Sequence, residues 1–390
     1  MTDDRGWYSP LPSFVFRHPS EGENKMRTYL LLLLALLLVA CAGPVEETAV
    51  TPPPVTEPAE PTEPELTEPV TIRLMTHDSF DISTSVMEQF TAESGITVEI
   101  FRAGDGGAVL NQAILSRDNP LADVLFGVDN TFLSRALDND IFIPYQSPQL
   151  AFIDERLQLD PEFRALPVDY GDVCLNYDIA WFEASDLEPP QTLADLIDPA
   201  YADLTVVQNP ATSTPGLSFL LATISTFGED GYLDFWQAMV DNGVLVTSGW
   251  EDAYWGHFSA ASDGDRPIVV SYASSPPAEV YFAEAELDEA PTAAVVTDGT
   301  CFRQIEFVGI LRGTPHETAA QQLVDFMLST AFQEDIPLNM FVFPANNQAQ
   351  LPDVFARFSQ IPDSPADVDP AAIAANREQW IEAWTDVVLR

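Results

Sequence analysis

The sequence predicts an α/β fold of two lobes, and three observations predict it. A strand–helix–strand–helix–strand order runs through residues 70–126, and a second alternation of strand and helix occupies Leu175–Pro291. The third is quantity: of 390 residues, 46% are hydrophobic and 11% aromatic, enough to give each lobe a core and to exclude global disorder. The length suits one large two-lobed domain or two ordinary ones.

Taken in order, the chain opens with residues 1–25, which are polar, contain Pro and look unlike any signal; Met26 is the expected start. Lys25-Met26-Arg27 then precedes an apolar run, Tyr29–Val39, that ends in Leu38-Val39-Ala40-Cys41. About 20 apolar residues are wanted to span a bilayer, so residues 26–40 read as an export signal. Ala42–Pro69 holds eight Pro, seven Glu and five Thr in 28 residues. Such a segment cannot pack; it is expected to extend for roughly 85 Å, as a tether between an anchor at Cys41 and a globular body.

The body begins at Val70. Val70–Thr76 alternates as a strand, Ser85–Ser94 carries a helical pattern through Val86, Met87 and Phe90, and Ile96–Phe101 is the second strand. Val109–Ser116 is the second helix, and Ala122–Phe126 the third strand, followed by a helix capped by Asn130. This order predicts a parallel sheet with ligand groups in the turns that leave the strands' carboxyl ends. Those turns contain His77 and Asp78, Asp105 and Gly106, and Asp129, although aspartate also favours turns for backbone reasons alone.

In the second half, Val206–Gln208 is a short strand, and Asn209–Gly216 opens an apolar helix over Leu217–Phe227. Thr214 before Pro215 reads as its cap. Ser213, Thr214 and the free backbone N–H groups form a candidate anion site, or a plain cap. Trp250 and Tyr272 stand among small polar residues, in Ser248-Gly249-Trp250 and Ser271-Tyr272-Ala273-Ser274, which favours a wet pocket wall over the core. At the carboxyl end Asp369 caps a helix whose Ile373, Trp380, Trp384 and Val387 share one face.

Charge and missing motifs narrow the function. With 16 Lys+Arg against 61 Asp+Glu the formal charge is −45, and the only lysine is Lys25. A nucleic-acid binder is excluded, as are a P-loop, a Schiff-base lysine and a lysine general base in the body. An acidic chain favours cationic ligands, or is merely a soluble or salt-adapted surface. His77, His257 and His316 lack metal-ligand spacing, so no metal or cofactor is expected. There is no nucleophile elbow and no dinucleotide fingerprint. Carboxylate pairs for glycoside hydrolysis stay open, because spacing in sequence says nothing about spacing in space. Binding is favoured over catalysis.

Several stretches in series then carry a resemblance. They are Met75–Phe80, Gly104-Asp105-Gly106, Ala122–Asn130, Val168–Asp172, Thr212–Leu217, Ser248–Tyr254 and Val270–Tyr272, with Trp380 and Trp384 in the tail helix. From Val70 to Arg390 the chain resembles the thiamine-binding components of bacterial ABC importers, which are type II periplasmic-binding proteins. The Leu-Val-Ala-Cys ending resembles a lipobox, implying lipidation of Cys41. The resemblance implies a two-lobed type II fold with two crossover strands, near Gly171–Tyr177 and Cys301–Leu311. Its parts would be 70–172 and 301–390 in lobe one and 173–300 in lobe two.

It further implies a monomer on the extracytoplasmic face of the membrane (the periplasm, in a Gram-negative envelope). There it would hand thiamine or a thiamine phosphate to a permease and touch the membrane by its lipid anchor only. The family's pocket positions fall on Asp105, Gly106, Ser213, Thr214, Trp250 and Tyr272. The family often has tyrosine where His77 stands and tryptophan near Phe341, so the stacking surface here is thinner. The crossover strands of such a fold run side by side, which predicts a Cys174–Cys301 disulfide in an oxidising compartment. An iron(III) or anion carrier on the same fold is the alternative, although the paired tyrosines of the iron carriers are missing. More remote are a tethered hydrolase and a passive adhesin.

Overall fold

Residues 70–390, apart from Glu284, are described by a computed structural model; the export signal, Cys41 and the tether lie outside the described residues. Strands β1 (Val70–Thr76), β2 (Ile96–Arg102) and β3 (Val124–Asp129) pair in parallel with β1 central, Val70 beside Ile96 and Leu74 beside Val124. The helices Thr84–Ser94 and Gly106–Leu115 make the crossovers. Parallel strands covered on both faces should be apolar throughout, and every residue of β3 is buried.

The helix after β3, Leu133–Asp138, has no side-chain cap, so Asn130 does not cap it as the sequence suggests; the turn that leads into it is held by Asp129. Asp129 Oδ1 accepts from the Thr131 hydroxyl (2.7 Å) and from the backbone N–H groups of Thr131 and Phe132 (both 3.2 Å). Asn130 instead donates to the Arg303 carbonyl and accepts from Ile305 N. An amide carries both the donor and the acceptor that a neighbouring strand requires, whereas a carboxylate accepts only.

Two long strands tie the halves together. β5 (Leu166–Asp178) and β10 (Phe302–Leu311) run antiparallel, Phe302 opposite Val173 and Glu306 opposite Asp169. After them in the sheet order come β8 (Ile268–Tyr272), β6 (Thr205–Gln208) and β7 (Leu245–Thr247). β10 pairs with β3 and with β4 (Phe142–Ile143) through its later residues. β5 pairs with β11 (Phe343–Pro344) near its start, and with β8 and β9 (Thr292–Val295) through its end. Each long strand therefore belongs to both halves, the geometry a hinge requires.

The cap of the helix Thr214–Phe227 falls one residue earlier than expected. Ser213 holds the extended N-cap conformation, with Pro215 inside the first turn. At the carboxyl end, the helix Pro370–Val388 begins with Asp369 accepting from Ala371 N at 2.9 Å. Its Ile373, Trp380 and Trp384 are buried, and Trp384 meets Trp236 edge-on with ring centres 5.4 Å apart. The tail thus closes a core shared with the second half of the sheet.

Candidate functional site

A cleft of about 370 Å3 lies between the two halves of the sheet. His77 and Asp78, from the turn after β1, and Asp105, from the turn after β2, form part of one wall, with Phe341 near the rim. Trp250, Tyr254 and Phe282 form the opposite wall, and Tyr272 and Glu306 on β8 and β10 lie at the base. The carboxylates of Asp78, Asp81, Asp105, Glu251 and Glu306 line it against one guanidinium, Arg102, which is engaged with the Phe80 carbonyl at 2.9 Å. Its electrostatics suit a cation.

Asp105 joins the walls. Its Oδ1 caps its own helix through Gly106 N (2.7 Å), and its Oδ2 accepts from Trp250 N (3.0 Å) across the cleft. Burial raises its pKa above the ordinary aspartate value, and the Trp250 and Gly106 N–H groups, His77 and Ser213 offset part of that rise. No hydrogen bond of ordinary length joins Ser213 Oγ to any described residue, yet the hydroxyl is close enough to favour the Asp105 charge.

The aromatic wall is layered. Trp250 stacks on Tyr254 with ring centres 4.8 Å apart and planes 22° apart, and its Nε1 donates to Ser271 Oγ at 2.9 Å. Tyr272 donates to Gln304 Oε1 at 3.0 Å. Burial, followed by the charges of Glu306, Asp105, Asp129 and Asp169, holds its phenol well above the usual range. Phe341 has φ of 54°, uncommon for an aromatic residue, and its carbonyl accepts from Ser274 Oγ of the opposite half at 2.7 Å. Its ring meets Phe282 at 5.5 Å, so two phenylalanines close the rim where the resemblance called for tryptophan.

Three predicted positions lie behind the wall. Asp129 is fully buried and spends Oδ1 on its turn. Gly106 opens its helix, and a Cβ there would come within 2.5 Å of Thr214 Cγ2, so the residue sets how closely the halves approach. Ser213 is fully buried beside Asp105, while Thr214 and Pro215 reach the cleft. The reading from the turns missed Glu306, Tyr254 and Phe282. Only Glu306 had a signal, as the single charge in Gln304–Leu311, an otherwise apolar strand.

The match to known proteins agrees with this architecture. Residues 119–358 match the family described as bacterial extracellular solute-binding protein. The chain belongs to that family. Among relatives of this solute-binding protein, the thiamine-binding periplasmic protein of Escherichia coli K12 is 30% identical over 333 residues, 84% of this chain and 96% of that one. A solved periplasmic thiamin binding protein superposes with a TM-score of 0.71 at 27% identity, covering 82% of this chain and 96% of the other. Iron-bound HitA from Pseudomonas aeruginosa superposes with a TM-score of 0.65 at 19% identity, over 82% and 99% of the two chains; it shares the fold.

Proposed function

We propose that this solute-binding protein captures thiamine, free or phosphorylated, outside the cytoplasmic membrane and delivers it to the permease of an ABC importer. Lipidation at Cys41 would hold the monomeric body to the membrane through its tether. The observation that carries this reading is the pairing, in one interlobe cleft, of the Trp250–Tyr254 stack with the carboxylates of Asp105 and Glu306. Thiamine is a flat aromatic cation, and a desolvated aromatic face contributes about 0.5–2 kcal/mol toward such a ligand. A second aromatic face and a carboxylate bring the total toward micromolar affinity, about −8 kcal/mol. The names of the relatives support the vitamin, and their being binding proteins supports capture without turnover.

An iron(III) carrier is less well supported. The relative at 30% identity is named for thiamine, whereas iron-bound HitA shares only 19% of its residues with this chain. Tryptophan fluorescence titrated with thiamine, its monophosphate and its diphosphate tests the reading, since Trp250 and Trp255 line the cleft. Saturable quenching is expected. A folded protein whose emission stays flat well above micromolar thiamine would overturn the assignment.

A further inference from the structure

The base of the cleft holds a row of acids. Asp129 on β3, Glu306 on β10 and Asp169 on β5 are register partners across three adjacent strands, and residues directly opposite in a ladder present side chains to one face. All three are buried. Glu306 also lines the cleft, where His77 Nε2 lies 3.5 Å from its Oε1.

The local backbone is shaped to make this contact. The pairing of β10 with β3 slips by one residue at Phe307–Val308, and the slip leaves out Gly127. Gly127 has φ of 98°, and a Cβ there would lie 2.4 Å from His77 Cδ2. A bulge of this kind re-aims neighbouring side chains. Here it opens the space through which the imidazole reaches Glu306.

Asp169 is the informative member. It is fully buried, and among the described residues neither of its carboxylate oxygens meets a donor. A carboxylate buried without donors is strongly disfavoured. Glu306 stands directly opposite Asp169 in the ladder of β10 and β5, where side chains on one face meet, and two carboxyls can bond to each other only through a proton. Burial and the neighbouring Glu306 charge both drive Asp169 toward its protonated form.

We propose that Glu306 is the cation-recognising carboxylate of the cleft, that Asp169 shares a proton with it in the empty protein, and that a bound cation displaces that proton. The inference rests on the thiamine reading for its ligand but not for the shared proton. In the step, the Asp169 O–H bond breaks, the electron pair stays on the carboxylate, and the proton passes to buffer. The ligand's positive charge then balances the second negative charge. Other groups face the pair: His77 from the turn after β1, Asp129 from β3, Tyr272 from β8, and Asp105 beyond His77. Arg377 of the tail helix faces Asp129. Burial works to lower the His77 pKa, but the charges of Glu306, Asp105 and Asp78 raise it above its ordinary value. Protonated, His77 partly screens Glu306 from an arriving cation.

Linkage fixes the sign: releasing one proton makes affinity rise with pH, by up to about tenfold per pH unit, until Asp169 has titrated. Asp169→Asn donates a permanent hydrogen bond to Glu306 and should remove the Asp169 proton from those released, leaving a flatter pH profile than the wild type's. Glu306→Gln should weaken thiamine by about tenfold or more while sparing an uncharged analogue in which a neutral ring replaces the thiazolium. Calorimetric titrations of the wild-type protein with thiamine, in buffers of different ionisation enthalpy, count the protons directly.

Infrared difference spectra of the ligand-free protein supply the independent arm, through the carbonyl stretch of a protonated carboxylic acid that is lost in Asp169→Asn. If thiamine fails to bind but that band is present, the thiamine reading falls and the shared proton stands. If thiamine binds and the band is missing, or no proton is released in any buffer, the inference is overturned. An equal loss for thiamine and the neutral analogue in Glu306→Gln would overturn the cation-recognising role.

Discussion

Trp250 makes the clearest single-residue test, because its indole has one face on Tyr254 and its Nε1 on Ser271 while the residue lines the cleft. Trp250→Ala removes the layer nearest the ligand and should cost about 1–2 kcal/mol of thiamine binding, with little change in melting temperature. An unchanged affinity accompanied by a large loss of stability would return Trp250 to the core. Asp129 illustrates the opposite fate. Burial, aided by the Glu306 charge and opposed by Thr131 and Phe132, lifts its pKa from 3.8 to about 7. The folded state then holds a proton that the unfolded chain has already lost. Stability is therefore greatest at the acid end of that window and declines as the pH rises from about 4 to about 7, by at most on the order of 4 kcal/mol. Asp129→Asn keeps the Oδ1 acceptor for its turn and has nothing to ionise. Melting curves should show the wild type losing more stability than the variant between about pH 5 and pH 8; parallel losses would mean that Asp129 is ionised at neutral pH.

Among the elements, the bulge between β3 and β10 has the largest consequence for the site. Gly127→Ala would place a Cβ on His77 and force a side chain into positive φ, costing about 1–3 kcal/mol of stability. Because the displaced imidazole faces Glu306, thiamine affinity and its pH profile should change with stability. A loss of stability that leaves the binding profile untouched would separate His77 from recognition. The same region marks what the sequence discloses. β1, β2 and the tail helix were legible because alternation and capping chemistry are local, as at Val70–Thr76 and at Asp369. Asp105, Trp250 and Tyr272 were legible because turns and small polar neighbours mark a wet surface. Glu306 showed only as a lone charge in an apolar strand, since its neighbours Asp129, Asp169 and His77 come from three other segments, and pairing alone makes the row. The turn residues Asp129 and Ser213 lie behind the cleft wall, Asp129 held by the backbone donors of its own turn and Ser213 by burial beside Asp105.

At the scale of the molecule, the hinge that lets two halves share one cleft is also where the chain is fastened. Cys174 on β5 and Cys301 just before β10 are joined by a disulfide, with Cα atoms 4.3 Å apart and a separation of 127 positions in sequence. Two residues from each cysteine, Arg303 grips Asp172 with bonds of 3.0 and 2.8 Å, so a covalent and an ionic tie hold the same end of the strand pair. Closing so long a loop restricts the unfolded chain and contributes about 4–5 kcal/mol on the chain-entropy model. Both sulfurs are fully buried, so reductant should act on the unfolded chain far faster than on the native one. Such a bond suits an exported body, because it persists in an oxidising compartment. The double variant Cys174→Ser, Cys301→Ser should therefore unfold at a clearly lower denaturant concentration. Its thiamine affinity should stay within a few-fold of wild type, because β5 and β10 remain paired from Phe302–Val173 to Val308–Leu166. Mass spectrometry after alkylation in denaturant without reductant should find neither cysteine labelled. Labelling of both in freshly purified wild-type protein, or a double variant as stable as the parent, would remove the disulfide from the account of the hinge.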